Sequence, residues 1–221
     1  MRAHLETIYR LLLEHFGHQD WWPGDTPFEI AVGAILTQNT SWNNVAQAID
    51  NLKSAGALTP ETMTRLSPGE LEELIRPSGF FRIKQKRLRN FLIYLEDTWN
   101  GDLSAALDGD LPAARDRLLG VSGIGPETAD SILLYAGGRP IFVVDAYTKR
   151  VFARHDLVDD TASYHDIQDL FMAHLPHDPA LFNDFHAQFV AVGKTYCRPK
   201  NPRCAECPLG GLPPAPKGIK A

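Results

Sequence analysis

Cysteine is scarce in this chain of 221 residues: there are three, all between positions 197 and 207. Three thiols crowded at one end cannot staple a fold with disulfides, and they suit metal binding in a reducing compartment better. No apolar run reaches the roughly 18 residues of a membrane span. The first residues, Met1 to Glu6, lack the basic stretch and apolar stretch of a secretion signal. A cytoplasmic location and no membrane partner are therefore expected. Basic charge is not in excess either. The formal net charge is -5, which counts against indiscriminate nucleic-acid binding, where a basic domain would be expected. Strand-like alternation of any length, internal repeats and low-complexity blocks are also missing.

What is present is helical. With 44% hydrophobic residues the chain can bury a sizeable core. Apolar side chains recur at helical spacing at Leu5, Ile8, Leu11, Leu12 and Phe16, then at Ile30, Val32, Ile35 and Leu36. The same spacing returns at Val45, Ile49 and Leu52, and at Leu88, Phe91, Leu92 and Leu95. Thr59-Pro60-Glu61 and Ser67-Pro68-Gly69-Glu70 each read as a capping residue followed by a proline in the first helical turn. The expected class is all-α. Positive charge is local: Lys84, Lys86, Arg87 and Arg89; Lys149 and Arg150; and Lys194, Arg198, Lys200 and Arg203 around the cysteines. Each cluster is a candidate phosphate contact or simply a solvated helix face. The proline- and glycine-rich tail from Leu212 to Gly218 is expected to add little to the core.

The most informative segment runs from Leu119 to Asp130, Leu-Gly-Val-Ser-Gly-Ile-Gly-Pro-Glu-Thr-Ala-Asp. Glycines at 123 and 125, around Ile124, let bare backbone approach a partner closely. A helix starting at Pro126 and running through Thr128 would add unpaired N–H groups, making a site for one phosphate. The apolar run Ile141 to Val144 then delivers Asp145 to a fixed place, as a catalytic carboxylate requires. Asp145 is equally suited to cap the helix that starts at Ala146, and the two roles are compatible.

This layout resembles the helix-hairpin-helix-GPD superfamily of DNA glycosylases, to which endonuclease III belongs. Ala34 to Thr40 (Ala-Ile-Leu-Thr-Gln-Asn-Thr) is similar to the first core helix of that family, and Cys197-x6-Cys204-x2-Cys207 to its iron-sulfur tail. The resemblance implies a two-lobed helical glycosylase fold with a C-terminal cysteine loop. One lobe would span residues 25–135, a second residues 1–24 with 136–196, and the loop and tail residues 197–221. It also implies a monomer acting on double-stranded DNA that contains a damaged base. Asp145 would be catalytic, stabilising an oxocarbenium-like sugar or activating water. The hairpin of Gly123, Ile124, Gly125 and Thr128, with Lys149, would contact DNA, and Gln38 or a residue near Gly79 would fill the hole left by a flipped base.

Members that also cut the strand carry a lysine where this chain has Glu127. A carboxylate cannot form an imine, so a monofunctional enzyme is expected. Trp21, Trp22 and Pro23, with Trp42, resemble the 3-methyladenine glycosylase branch, whose aromatic residues sandwich the base; a cationic alkylated purine suits indole faces. Alternatively, these tryptophans belong to the core. The cysteines match three of the four ligands of the family's [4Fe-4S] cluster, and the fourth position is Pro213. Another group or solvent would complete the cluster, or the cluster has decayed; His186 is a candidate helper or a packing histidine. Competing functions are an endonuclease III-like glycosylase for oxidised pyrimidines or mismatched bases, a non-catalytic helix-hairpin-helix DNA-binding module, and a redox iron-sulfur protein. Asp145 and the tryptophans disfavour the module, and the absent fourth cysteine disfavours the redox protein.

Overall fold

The computed structural model describes residues 1–212, and no strand occurs among them. In chain order the helices are α1 (Arg2–Phe16), α2 (Pro27–Leu36), α3 (Trp42–Ser54), α4 (Pro60–Arg65), α5 (Pro68–Ile75), α6 (Phe81–Trp99), α7 (Leu103–Leu107), α8 (Leu111–Leu119), α9 (Pro126–Ser131), α10 (Ala146–Arg154), α11 (Tyr164–His174) and α12 (Pro179–Thr195). The described residues form two compact units, Trp22–Arg139 and Met1–Trp21 with residues 140–212. The adjacent Trp21 and Trp22 therefore belong to different units. The fourth-ligand position Pro213 and the tail that follows lie outside the described residues.

The start signals work as sequence chemistry dictates. Thr59 and Ser67 each accept a bond from the backbone N–H three residues on, at 3.1 and 3.3 Å. In each case the third residue's side chain bonds back to the capping residue's own N–H, closing a capping box around a first-turn proline.

In the Trp22–Arg139 unit, α2 is buried along almost its whole length, from Phe28 through Leu36 apart from Ile30. It packs against α3, α6 and a π-helical turn at Ile132–Ala136 that continues α9. The face of α6 that meets this core carries Leu88, Phe91, Leu92 and Leu95, and Lys84 continues the stripe one turn earlier. This corrects the surface-cation expectation for Lys84, which is only 1% exposed. Its ammonium donates to the Leu36 carbonyl at 2.7 Å and the Ser78 carbonyl at 2.6 Å. Lys84 thus ties the C-terminus of α2 to the turn ahead of α6, satisfying carbonyls that a helix end leaves open. Burial, with Arg87 nearby, pushes its pKa down to about 8.

In the other unit, α12 packs against α10 and α1. Its core is a phenylalanine cluster in which Phe142 stacks on Phe171 at 3.5 Å between centroids, and Phe185 stacks on Phe189 at 4.9 Å. Phe142 belongs to the extended, buried run Ile141 to Val144. Anchored in that cluster, the run fixes where the chain emerges at Asp145.

Candidate active site

Asp145 sits at the N-cap of α10. Its Oδ1 accepts the Thr148 backbone N–H at 2.8 Å and the Thr148 hydroxyl at 3.0 Å. Oδ2 lies 3.5 Å from Nε2 of His186 on α12, within ion-pairing range when the imidazole is protonated. Burial pushes the Asp145 carboxyl up, but the His186 imidazole and the two Thr148 donors outweigh it and hold the pKa below the usual 3.8. The side chain keeps 11% of its surface exposed. The result is an ionised carboxylate, rigidly held and still reachable, with a helix N-terminus behind it.

His186 is buried on α12, as a packing histidine would be. It does not line the cysteine cavity described below; it partners Asp145, and the Trp21 ring lies 6.4 Å from its own. We expect His186→Asn to leave burial opposed by Thr148 alone, so that the Asp145 pKa rises. Because the native value is depressed, Asp145 contributes stability above its unfolded pKa and loses it as pH falls through the native one. In the variant that contribution is smaller, and the acid limb of base release moves to higher pH. A single-turnover pH–rate profile with an unmoved acid limb would show that His186 does not tune the carboxylate.

The hairpin between α8 and α9 lies in the other unit. Gly123 has φ +99°, and a Cβ there would stand 2.4 Å from Cγ of Arg87, so glycine is required both by conformation and by contact. Gly125, the N-cap of α9, has φ -98° and would meet nothing within 4 Å. Nothing within the fold excludes a side chain at 125; its bareness leaves the backbone N–H groups of the helix start open to a ligand. Ile124 is buried and anchors the turn, so only its backbone can meet DNA. Thr128 is also buried and faces inward.

Gln38 clamps this hairpin. Its Nε2 donates to the Gly123 carbonyl at 3.1 Å and the Thr128 hydroxyl at 2.8 Å, and its Oε1 accepts from Arg87. With both amide hydrogens used, filling a hole in a duplex would require breaking these bonds. The turn ahead of α6 offers another side chain for that task. Gly79 and Phe80 both have left-handed φ, +67° and +46°, and they present Phe80 64% exposed. Apolar side chains displayed in this way insert between bases. Large exposed aromatics cannot be told from buried ones by composition, so the sequence did not single out Phe80.

Trp22 and Trp42 do meet, against Gly33 of α2, where a Cβ would touch both rings. Their centroids are 5.0 Å apart at 84°. This corrects the sandwich expectation: a base slides only between roughly parallel faces, and edge-to-face packing leaves no slot. The face of Trp22 is instead stacked on Tyr135, at 5.1 Å and 29°. Tyr135 belongs to the π-helical turn, a feature common at functional sites. Pro23 is exposed. Trp21, in the other unit, has the Lys194 ammonium 5.8 Å from its ring centroid. Lys149 is exposed, and its ammonium donates to the Ala162 carbonyl at 2.7 Å.

Cys197, Cys204 and Cys207 line one cavity of about 80 Å³. The end of α10 grips the loop: Arg154 Nη1 lies 3.3 Å from Cys197 Sγ and 2.7 Å from the Arg198 carbonyl, and Arg150 Nε donates to the Cys197 carbonyl at 2.6 Å. Burial pushes the Cys207 thiol up, and its neighbours Cys197 and Cys204 push it further, against backbone bonds from Leu209 and Gly210. Gly210 is sterically obligatory, since a Cβ would lie 2.6 Å from the Cys204 carbonyl oxygen. No three His, Cys, Asp or Glu among the described residues converge tightly enough to hold a single metal ion. A [4Fe-4S] cluster is bound differently, each thiolate taking its own iron at a separate corner. Three thiols around one cavity, with an arginine against the first, fit such a cluster.

The hairpin, the capped carboxylate and the all-helical architecture together define a DNA repair glycosylase. Residues 32–177 match the profile described as HhH-GPD superfamily base excision DNA repair protein, and the chain belongs to that family. It is 45% identical to a Methanocaldococcus jannaschii protein provisionally named a DNA repair glycosylase, over 91% of this chain and 92% of that one. Among solved structures it is similar to a non-covalent endonuclease III–DNA complex, with TM-score 0.83, 23% identity and coverage of 96% and 94%. It is also similar to the H. pylori 3-methyladenine DNA glycosylase bound to 1,N6-ethenoadenine, with TM-score 0.73, 28% identity and coverage of 86% and 97%.

Proposed function

We propose that this protein is a monofunctional N-glycosylase that excises a damaged base from double-stranded DNA, as a monomer in the cytoplasm. The observation that carries the reading is Asp145, kept ionised by Thr148 and His186 on a helix cap. As the bond between base and sugar breaks, its electron pair leaves with the base, and the sugar becomes oxocarbenium-like. A fixed carboxylate stabilises that charge; water then adds at the sugar carbon and loses its proton. Gly123 and Gly125 anchor the backbone, and Phe80 replaces the extruded base in the stack. Glu127 stands exposed on α9 where the strand-cutting route needs an amine, so the strand is left intact. Cys197, Cys204 and Cys207 hold a [4Fe-4S] cluster, which when bound supplies a structural centre that shapes the basic loop of Arg198 and Lys200.

The likeness to the H. pylori enzyme favours an alkylated purine such as 3-methyladenine. One observation favours a second reading, an oxidised pyrimidine or a mismatched base: the Lys194 ammonium, 5.8 Å from the Trp21 ring centroid, repels a cationic base. A panel of duplexes with single lesions, assayed with and without alkali, separates them. Base release without strand cleavage until alkali is added, and no adduct trapped by borohydride, are the expected results. A trapped adduct would show that a lysine has taken the nucleophile's role and end the monofunctional reading. Release confined to pyrimidine lesions would replace the alkylpurine assignment.

A further inference from the structure

We propose that His155 supplies the fourth protein ligand of the [4Fe-4S] cluster held by Cys197, Cys204 and Cys207, an inference that rests on the cluster reading given above. Residues 208–221 contain no Cys, His, Asp or Glu. The family's spacing therefore cannot provide a fourth ligand here, and one must come from elsewhere in the fold or from solvent. His155 lines the same cavity as the three cysteines, together with Arg154 and Tyr196. It is the C-cap that follows Arg154 at the end of α10, and that helix is fastened to the cysteine loop by Arg150 and Arg154, with Arg154 Nη2 also bonding the Pro199 carbonyl at 3.0 Å. Its position relative to the thiols is therefore set by several bonds on the adjoining turn.

Two features separate His155 from other occupants of the wall. Tyr196 has its hydroxyl 3.0 Å from Nε2 of His15, and Arg154 has no lone pair to offer. The His155 ring makes no hydrogen bond to any described residue, so binding iron would displace none. Neutral imidazole donates a nitrogen lone pair to iron without releasing a proton, and histidine replaces cysteine at iron in other iron-sulfur centres. In this arrangement the cluster carries one negative ligand fewer than a four-thiolate site.

The test uses the full chain, purified anaerobically and reconstituted with iron and sulfide, with histidine labelled by ¹⁵N. Pulsed electron paramagnetic resonance of the reduced cluster should show a strongly coupled nitrogen. His155→Ala should lose that coupling and, on brief exposure to air, convert to a three-iron signal as the unanchored iron departs. His155→Cys should keep a four-iron cluster and also lose the coupling, which guards against a merely misfolded alanine variant. A four-iron cluster without nitrogen coupling in the unmutated protein, or coupling that survives in both variants, overturns the ligand assignment while leaving the cluster. Protein that binds no iron in any form overturns the cluster reading and this proposal with it.

Discussion

Asp145→Asn is expected to lower base release by on the order of a hundredfold or more, with duplex affinity retained. The substitution keeps the shape, and the asparagine carbonyl can still accept the Thr148 N–H that Oδ1 accepts at 2.8 Å, so α10 keeps its cap. What disappears is the negative charge that, in the proposed mechanism, faces the sugar as positive charge develops there, together with the partner of His186. A ground-state contact would weaken binding; loss of a charge needed only in the transition state lowers the rate of the bound complex. Single-turnover excision measured beside a duplex-binding titration distinguishes the two. Near wild-type excision would remove Asp145 from the mechanism. Circular dichroism on the same preparation guards against a variant that has simply unfolded, since the cap lies close to the phenylalanine cluster.

The parts of this protein that were legible in its sequence are those written in local chemistry. Apolar spacing located α1, α2, α3 and α6, capping residues located α4 and α5, and an aspartate ahead of a helical run announced its own cap. The charge of Lys84 suggests a surface position, but its place in the chain does not. It stands four residues before Leu88, on the buried stripe of α6, and that periodicity was the available signal. His186 lies between Phe185 and Phe189 on the buried face of α12, which reads as packing; only tertiary structure brings it to Asp145. Ring orientation is the least legible property. Nothing local to Trp22 or Trp42 specifies an 84° crossing, which arises from Tyr135 and Gly33 on other elements. The fourth position of the cysteine motif was legible as an absence, but a candidate replacement came from the far end of α10.

The paired substitutions Gly123→Ala and Gly125→Ala should fail in different ways, and that difference tests the phosphate anchor. At 123 an alanine must adopt φ near +99°, which costs an L residue about 1–2 kcal/mol. Its methyl also strikes Arg87, whose guanidinium holds Gln38. Gln38 in turn holds the Gly123 carbonyl and Thr128, so one methyl loosens the whole hairpin. Both melting temperature and DNA affinity are expected to fall. At 125 the backbone is already in a region alanine tolerates, and the methyl meets nothing within 4 Å. The fold should be unchanged, and the melting temperature with it. The methyl would nonetheless stand over the N–H groups of the α9 start and hold a phosphate away from them. Losing one hydrogen bond to a charged group, about 1.5–3 kcal/mol, corresponds to an affinity loss of about tenfold or more. The checks are a thermal melt and a duplex titration at fixed salt for each variant. Wild-type affinity in Gly125→Ala, alongside an unchanged melt, would mean that the hairpin is a structural turn and that the backbone grip lies elsewhere.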